Sequence, residues 1–379
     1  MNISAEGSGP DEGHDDESRT EPVPTTFGIE EEFALLDPLD LSTVDLGREA
    51  VAALRSQVTG AVAREFLPSQ VEYATPICST FAEAQEALMA FRRTLGCWAA
   101  DAGVVAAGCG TPFRTRPDAP ISSGARYARI AADVGGLTGE HQINGLHVHV
   151  GIPDRDSGIR ASNALRPWLP VLLALSGNSP FWHGRDTGFD SWRAIHLRRW
   201  TTHSIPPRFR DADDYDRTMA ALTGIGATSD PGTVNWDVRL SSTFPTLEVR
   251  VCDAQLDAMS SLALSVTVRA LVDSGSTGDT AATDVSLDAA LWHAARYGVG
   301  TTLVRPATGR LAPAGSVLRA LYDHIAPFLH GRDEMRVVKA LLDRQKNGAN
   351  LQRAVSRTGA GALAALYRER LANTQTSSC

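Results

Sequence analysis

Three short stretches of the chain carry residue types that bind metal and handle phosphate. The first runs from Thr26 to Leu36 and holds Glu30 and Glu32 two positions apart. Side chains alternate between faces along an extended strand, so these carboxylates share one face. Phe27, Ile29, Phe33 and Leu35 take the other face, and Glu31 goes with them, outside the chemistry. Two carboxylates side by side on a buried strand are costly unless a positive charge lies between them. The second stretch is Gly145-Leu146-His147-Val148-His149-Val150-Gly151. Its two histidines project from one face, and a neutral imidazole offers a metal or a phosphate a lone pair or N–H in a fixed direction. The third is Thr246-Leu247-Glu248-Val249-Arg250-Val251-Cys252-Asp253. There a carboxylate and a guanidinium share a face, and arginine can clamp phosphate or carboxylate oxygens with two donors. A weaker pair, Glu65 and Glu72, meets only if the chain bends at Pro68, because seven positions along a straight strand would set them on opposite faces.

Each stretch has a plainer reading: a wet acidic edge strand, two structural histidines, a cross-strand salt bridge. Their convergence favours a site. Three polar faces, Glu/Glu, His/His and Glu/Arg, each oppose an apolar face. Carboxylate oxygens outnumber nitrogen donors, which favours Mg²⁺ or Mn²⁺ over Zn²⁺. Such a site with nearby arginines suits phosphoryl transfer from ATP, where metal neutralises developing charge. The chain has no GxxxxGK[ST] loop, no GxGxxG following a strand and no GxSxG elbow. A guanidino kinase-like phosphotransferase and a metal-dependent hydrolase remain alternatives on these residues.

The elements that must hold these faces follow from the pattern. Strands are expected at 26–36, on both sides of Pro68, at 104–107 and 142–151, and as a pair within 234–253. Helices are expected at about 47–59, from the capping box Thr80-Phe81-Ala82-Glu83 to about 102, at 124–134, as one piece at 156–176, and at 211–222. Residues 177–210, rich in Gly, Pro, Trp and Arg, read as one long irregular functional loop. From 255 onward the pattern is helical, at about 255–273, 286–297, 314–329, 332–346 and 349–371. Strands early and helices late argue for an α+β fold with a largely antiparallel sheet and helices on one face.

Composition narrows the class. The net charge of −8, much of it in residues 1–24, argues against nucleic acid as a partner. That acidic segment has almost no large apolar side chains and is expected to be a disordered tail, with a single catalytic domain over 25–371 and a frayed end at 372–379. It lacks the apolar core of a signal peptide, and no apolar run reaches the ~18 residues of a membrane span. The five cysteines form no CxxC pair and read as reduced, mostly buried thiols, which points to the cytoplasm. Oligomeric state stays open, a homo-oligomer included.

Taken together, the motifs resemble a known family. Gly28-Ile29-Glu30-Glu31-Glu32-Phe33, Glu65 with Glu72-Tyr73-Ala74-Thr75-Pro76, His147-Val148-His149, Asn178-Ser179-Pro180-Phe181-Trp182 with Asp186 to Arg193, and Trp236 to Arg239 with Thr246 to Asp253 are similar, in order, to the type 2 glutamate–cysteine ligases. The resemblance covers about 26–370. It implies a curved sheet like the catalytic domain of glutamine synthetase, with helices on the convex face and Mg²⁺ and ATP on the concave one. It implies ATP-dependent joining of the γ-carboxylate of glutamate to an amine, typically cysteine. By the same resemblance, Glu30, Glu32, Glu65, Glu72, His147 and Glu248 are metal ligands, and His149 and Arg250 lie at the phosphates as catalytic and ATP-binding residues. Arg193 is implied to bind substrate, and Arg239 substrate or ATP phosphate.

Overall fold

The computed structural model describes residues 25–275 and 284–372. The tails expected at 1–24 and 372–379 therefore lie outside the described residues, apart from Ala372, which closes the last helix.

The strands in chain order are β1 (Phe27–Leu36), β2 (Ala61–Arg64), β3 (Gln70–Ala74), β4 (Val105–Ala107), β5 (Gly145–Gly151), β6 (Phe181–Trp182), β7 (Arg185–Asp186), β8 (Val238–Leu240), β9 (Thr246–Asp253), β10 (Thr302–Arg305) and β11 (Arg310–Pro313). Seven of them form one sheet in the order β2-β3-β1-β5-β9-β8, with β4 also paired to β1. Every pairing in it is antiparallel. The helices are α1 (Gly47–Leu54), α2 (Phe81–Asp101), α3 (Ala125–Val134), α4 (Arg155–Leu165), α5 (Leu169–Ser176), α6 (Trp192–Leu197), α7 (Ala212–Gly224), α8 (Ala258–Asp273), α9 (Asp284–Tyr297), α10 (Ala314–Ile325), α11 (Gly331–Leu342), α12 (Gly348–Ser356) and α13 (Ala360–Ala372). The architecture is α+β with a mainly antiparallel sheet, as the order of patterns predicts.

Alternation does the sorting. Phe27, Ile29, Phe33 and Leu35 of β1, Leu146, Val148 and Val150 of β5, and Leu247, Val249 and Val251 of β9 bury in one cluster. Helices α2 and α8 close it with Leu88, Phe91, Leu95, Leu262 and Val266. Each such side chain contributes about 1.5–3 kcal/mol on burial, and this fixes the strand register. Where β5 meets β9 the register shifts between the Leu146 and Val148 pairings. Leu146 pairs with Cys252 and Val148 with Val249, so β9 carries one extra residue, a bulge next to Arg250.

Helix α2 begins where its capping box predicts. The Thr80 hydroxyl accepts from the Glu83 N–H at 3.2 Å, and the Glu83 carboxylate accepts from the Thr80 N–H at 3.2 Å. Asp211 caps α7 in the same manner, accepting from the Asp214 N–H at 2.7 Å.

Several expectations fail for local reasons. The single helix over 156–176 is two helices joined by a 3₁₀ turn at Arg166–Trp168, because Pro167 and Pro170 lack the N–H a continuous helix needs. The helix over 349–371 is broken at Gly359, whose φ of 108° lies outside helical space. Residues 177–210 are not uniformly irregular: they contain the β6–β7 hairpin and α6. The β10–β11 hairpin interrupts the helical end of the chain. Cys78, Cys109 and Cys252 are buried free thiols, whereas Cys97 is disulfide-bonded, against the expectation of a reduced set. Among the described residues, no helix is long and apolar enough to cross a membrane.

Candidate active site

The three polar faces meet on the side of the sheet opposite the α2–α8 core. Register sets them side by side: Glu30 opposite His147, Glu32 opposite Glu72, His149 opposite Glu248, and Glu248 opposite Arg239. Glu65 arrives from the turn after β2, held by Ser122, whose hydroxyl donates to the Glu65 carbonyl at 2.6 Å. The bend at Pro68 thus does bring Glu65 to Glu72.

Two clusters result. Glu30, His147 and Glu248 present ligand atoms within 4.8 Å of one another, and so do Glu32, Glu65 and Glu72. The clusters are electrostatically unlike. In the first, the Glu248 carboxylate takes an Arg239 N–H at 2.7 Å and a bond from Arg250. Burial pushes its carboxyl up, but Arg250 and Arg239 outweigh burial and hold it below the usual range. Glu30 is also held low: burial opposes ionisation, and the adjacent imidazoles of His147, which is hydrogen-bonded to it, and His149 outweigh burial. His147 Nδ1 lies 3.3 Å from Glu30 and His149 Nε2 lies 3.3 Å from it. Burial, then Arg250, pushes the His147 imidazole down to about 4, so it is a neutral donor or ligand at neutral pH.

The second cluster is starved of positive charge. Burial and then Glu65 push Glu32 up to about 8. Burial and the carboxylates Glu65, Glu30 and Glu32 push Glu72 well up, and burial raises Glu65. Among the described residues, none of these three carboxylates pairs with an arginine or lysine. Glu32 does accept the Gly145 N–H at 2.7 Å. Three hard oxygen donors, Glu32 buried and Glu65 and Glu72 half-buried, with no cationic side chain paired to them, fit a divalent cation. The first cluster, two carboxylates and one imidazole, fits a second.

The arginines divide by role. Arg239 is tied down: its remaining donors reach the Gly232 and Val234 carbonyls at 2.7 Å each, so it orients Glu248. Arg250 keeps a buried Nε without a hydrogen-bond partner. Arg193, at the start of α6, donates to the Arg250 carbonyl at 3.1 Å, and its Nε is also buried without a partner. It lies against Gly145, where a Cβ would come within 2.7 Å of both Arg193 Nη2 and His147 Nε2. Glycine at 145 therefore lets strand, arginine and histidine converge. His149 is fixed from outside by Thr246, 2.9 Å from its Nδ1.

Spacing alone misses the frame behind the site. Asp253, fully buried at the end of β9, accepts from the Asn178 N–H and from the Ser179 and Ser191 hydroxyls at 2.6–2.9 Å. This pins the segment bearing Arg193 to the strand bearing Arg250. The sequence signals are a run of small polar residues in a stretch that otherwise looks like loop, and the family-like motifs that hold Asn178, Ser179, Ser191 and Asp253. Gln70, which donates to the Ile143 carbonyl at 2.6 Å and Asn144 at 2.8 Å, ties β3 to the start of β5 and has no signal.

Residues 26–369 match the family described as Glutamate-cysteine ligase family 2 (GCS2). A protein of Rhodococcus jostii (strain RHA1), provisionally named glutamate–cysteine ligase 2-1, is 38% identical over 353 residues, covering 90% of this chain and 94% of that protein. One from Mycobacterium sp. (strain KMS), provisionally named glutamate–cysteine ligase 2-2, is 37% identical over 342 residues, covering 88% and 94%. Among solved structures, the glutamate–cysteine ligase of Francisella tularensis in complex with AMP shares the fold, with a TM-score of 0.66 at 11% identity, over 93% of this chain and 90% of that one. A bifunctional glutathione synthetase from Pasteurella multocida gives a TM-score of 0.69 at 15% identity, over 92% of this chain and 52% of that one.

Proposed function

The chain belongs to the glutamate–cysteine ligase family 2, and on that premise we propose that it is an ATP-dependent carboxylate–amine ligase. The observation that carries the reading is the unneutralised trio Glu32, Glu65 and Glu72, set beside the cluster of Glu30, His147 and Glu248 under the donors of Arg250. The two clusters would hold Mg²⁺ or Mn²⁺. Bound there, the metal supplies charge neutralisation for the phosphate oxygens of ATP.

A γ-carboxylate oxygen of glutamate attacks the γ-phosphorus of ATP. The bond to the β-phosphate oxygen breaks, ADP leaves, and an acyl phosphate forms. The amine nitrogen then attacks the acyl carbon, phosphate leaves, and the amine gives up a proton. Cysteine as the amine yields γ-glutamylcysteine. No protein nucleophile is needed, so the residues act by placement and charge. Arg250 meets the transferring phosphoryl group, with His149 beside it at the Glu30 edge. Arg239 keeps Glu248 aimed. Arg193 presents charge where a substrate carboxylate can meet it.

The test is an ADP-release screen of the full chain with Mg-ATP, glutamate and a panel of amines that includes cysteine, followed by mass spectrometry. The expected product is a γ-glutamyl amide formed one-for-one with ADP. A stable phosphorylated acceptor without amide would assign the site to a guanidino kinase-like reaction. Turnover without nucleotide would assign it to hydrolysis.

A further inference from the structure

A cavity of about 380 Å³ opens on another part of the molecule and includes none of the residues of either acid cluster. The start of α8, the link between α11 and α12, and the end of α13 form its walls. Three cations line it, Arg344, Lys346 and Arg370, against one carboxylate, Asp257. That carboxylate is already engaged: it caps α8, accepting from the Ser260 N–H at 2.8 Å. Arg370 lies 3.8 Å from it and has a buried Nε with no partner. Arg344 donates to the Ser260 hydroxyl at 2.8 Å. Among the described residues, neither Arg344 nor Lys346 has a carboxylate partner.

We propose that this cavity is a second ligand site, which takes a compact anion, a phosphate or a small dicarboxylate, on Arg344, Lys346 and Arg370. Guanidinium and ammonium groups lining a half-enclosed cavity are the chemistry that recognises such groups. The volume is enough for a small metabolite. Two wall residues reach the frame of the catalytic face. Asn347 donates to Asp190 at 2.9 Å, and the Asp190 carbonyl accepts from the Ser179 N–H in the segment that carries Arg193. Gln255 donates to the carbonyls of Ser176 and Asp253 at 2.8 and 2.7 Å. An anion held in the cavity therefore borders the same polar frame that positions Arg193 against β9.

Calorimetric titration of the metal-free full chain tests the site. One arm uses inorganic phosphate and the other succinate, which tells the two sources of the anion apart. The proteins are the unaltered chain, the double variant Lys346→Gln/Arg370→Gln, and Arg250→Gln as a control for binding on the catalytic face. The cavity variant is expected to bind the preferred anion at least about tenfold more weakly, while Arg250→Gln, which removes only anion held on the catalytic face, keeps the binding that the cavity variant loses. Circular dichroism checks that the variants fold, and the charge-keeping double variant Lys346→Arg/Arg370→Lys should bind as the unaltered chain does if the charge is what matters. Equal binding by the cavity variant, loss in Arg250→Gln alone, or binding of neither anion would each overturn the proposal. None of these results depends on the ligase reading, so the two can fail separately.

Discussion

Glu31 and Glu32 are neighbours on one strand, both almost fully buried, and they meet opposite fates. Glu31 points into the core and finds a cation belonging to the chain. Arg92 of α2 grips it with Nε at 2.9 Å and Nη2 at 2.5 Å, Ser261 donates to it as well, and the guanidinium stacks 5.1 Å above Phe33. The same arginine donates to the Gln255 and Leu256 carbonyls at 3.0 Å, which knits β1 to the start of α8. Glu32 points the other way and meets Glu65 and Glu72 instead of an arginine. A core supplies its own counter-charge, because an unpaired buried ion destabilises the fold. A binding face leaves the charge open, and that is what makes it selective for a soluble cation.

Breaking the internal pair gives the largest effect on stability. Arg92→Ala leaves Glu31 buried without a cation and is expected to cost about 3–5 kcal/mol, read as a drop in the urea midpoint. Replacing both partners, Glu31→Leu with Arg92→Met, should recover most of that loss; no recovery would mean that the hydrogen bonds to the Gln255 and Leu256 carbonyls matter more than the ion pair.

The open face should behave in the reverse sense. Glu72→Gln replaces a carboxyl whose ionised form the fold disfavours, so the metal-free chain should keep or gain stability. Ligase turnover should fall by roughly 10²–10³-fold, the scale seen when one charge-stabilising group is lost. A variant that unfolds more easily and still turns over would invert the comparison. Glu248→Ala differs again, since it strands Arg239 and Arg250: both ADP release and melting temperature should fall.

A pH titration sharpens the contrast. Glu32 is raised from an ordinary 4.5 to about 8, with Glu65 and Glu72 raised as well. The folded chain binds these protons more tightly than the unfolded chain does. Their contribution is therefore complete below about 4.5 and is lost as pH rises through 8. Without metal, stability should decline across that window. Mg²⁺ competes for the same oxygens, so its stabilising effect should grow over the same range, as melting curves with EDTA and with Mg²⁺ would show. Glu30 and Glu248 are held low and act with the opposite sign, losing their contribution only under acid conditions below that window.

The smallest effect is expected at the start of α2. Thr80→Ala removes the cap of α2 and should cost about 1 kcal/mol with no change in turnover. A large loss would show that the start of α2 also steadies Arg92 beneath β1.

Much of this was legible in the chain and some was not. The three polar faces and their apolar backs follow from alternation in Phe27–Leu36, Gly145–Gly151 and Thr246–Asp253. The helix breaks at Pro167 and Gly359 carried their own local signals but were overrun by the apolar pattern on both sides. The role of Arg239 as a clamp on Glu248, the Asp253 frame and the bulge beside Arg250 carried no signal that spacing could read.

The sequence by itself determined which carboxylates share a surface and which one enters the core, because a strand's side chains alternate with a period of two set by covalent geometry. Only the tertiary structure decided which of them receives a cation. Arg92 comes to Glu31 from 61 positions away, and Glu65 comes to Glu72 around a turn. Pairings of that kind depend on how helices and strands pack, and no local periodicity encodes them.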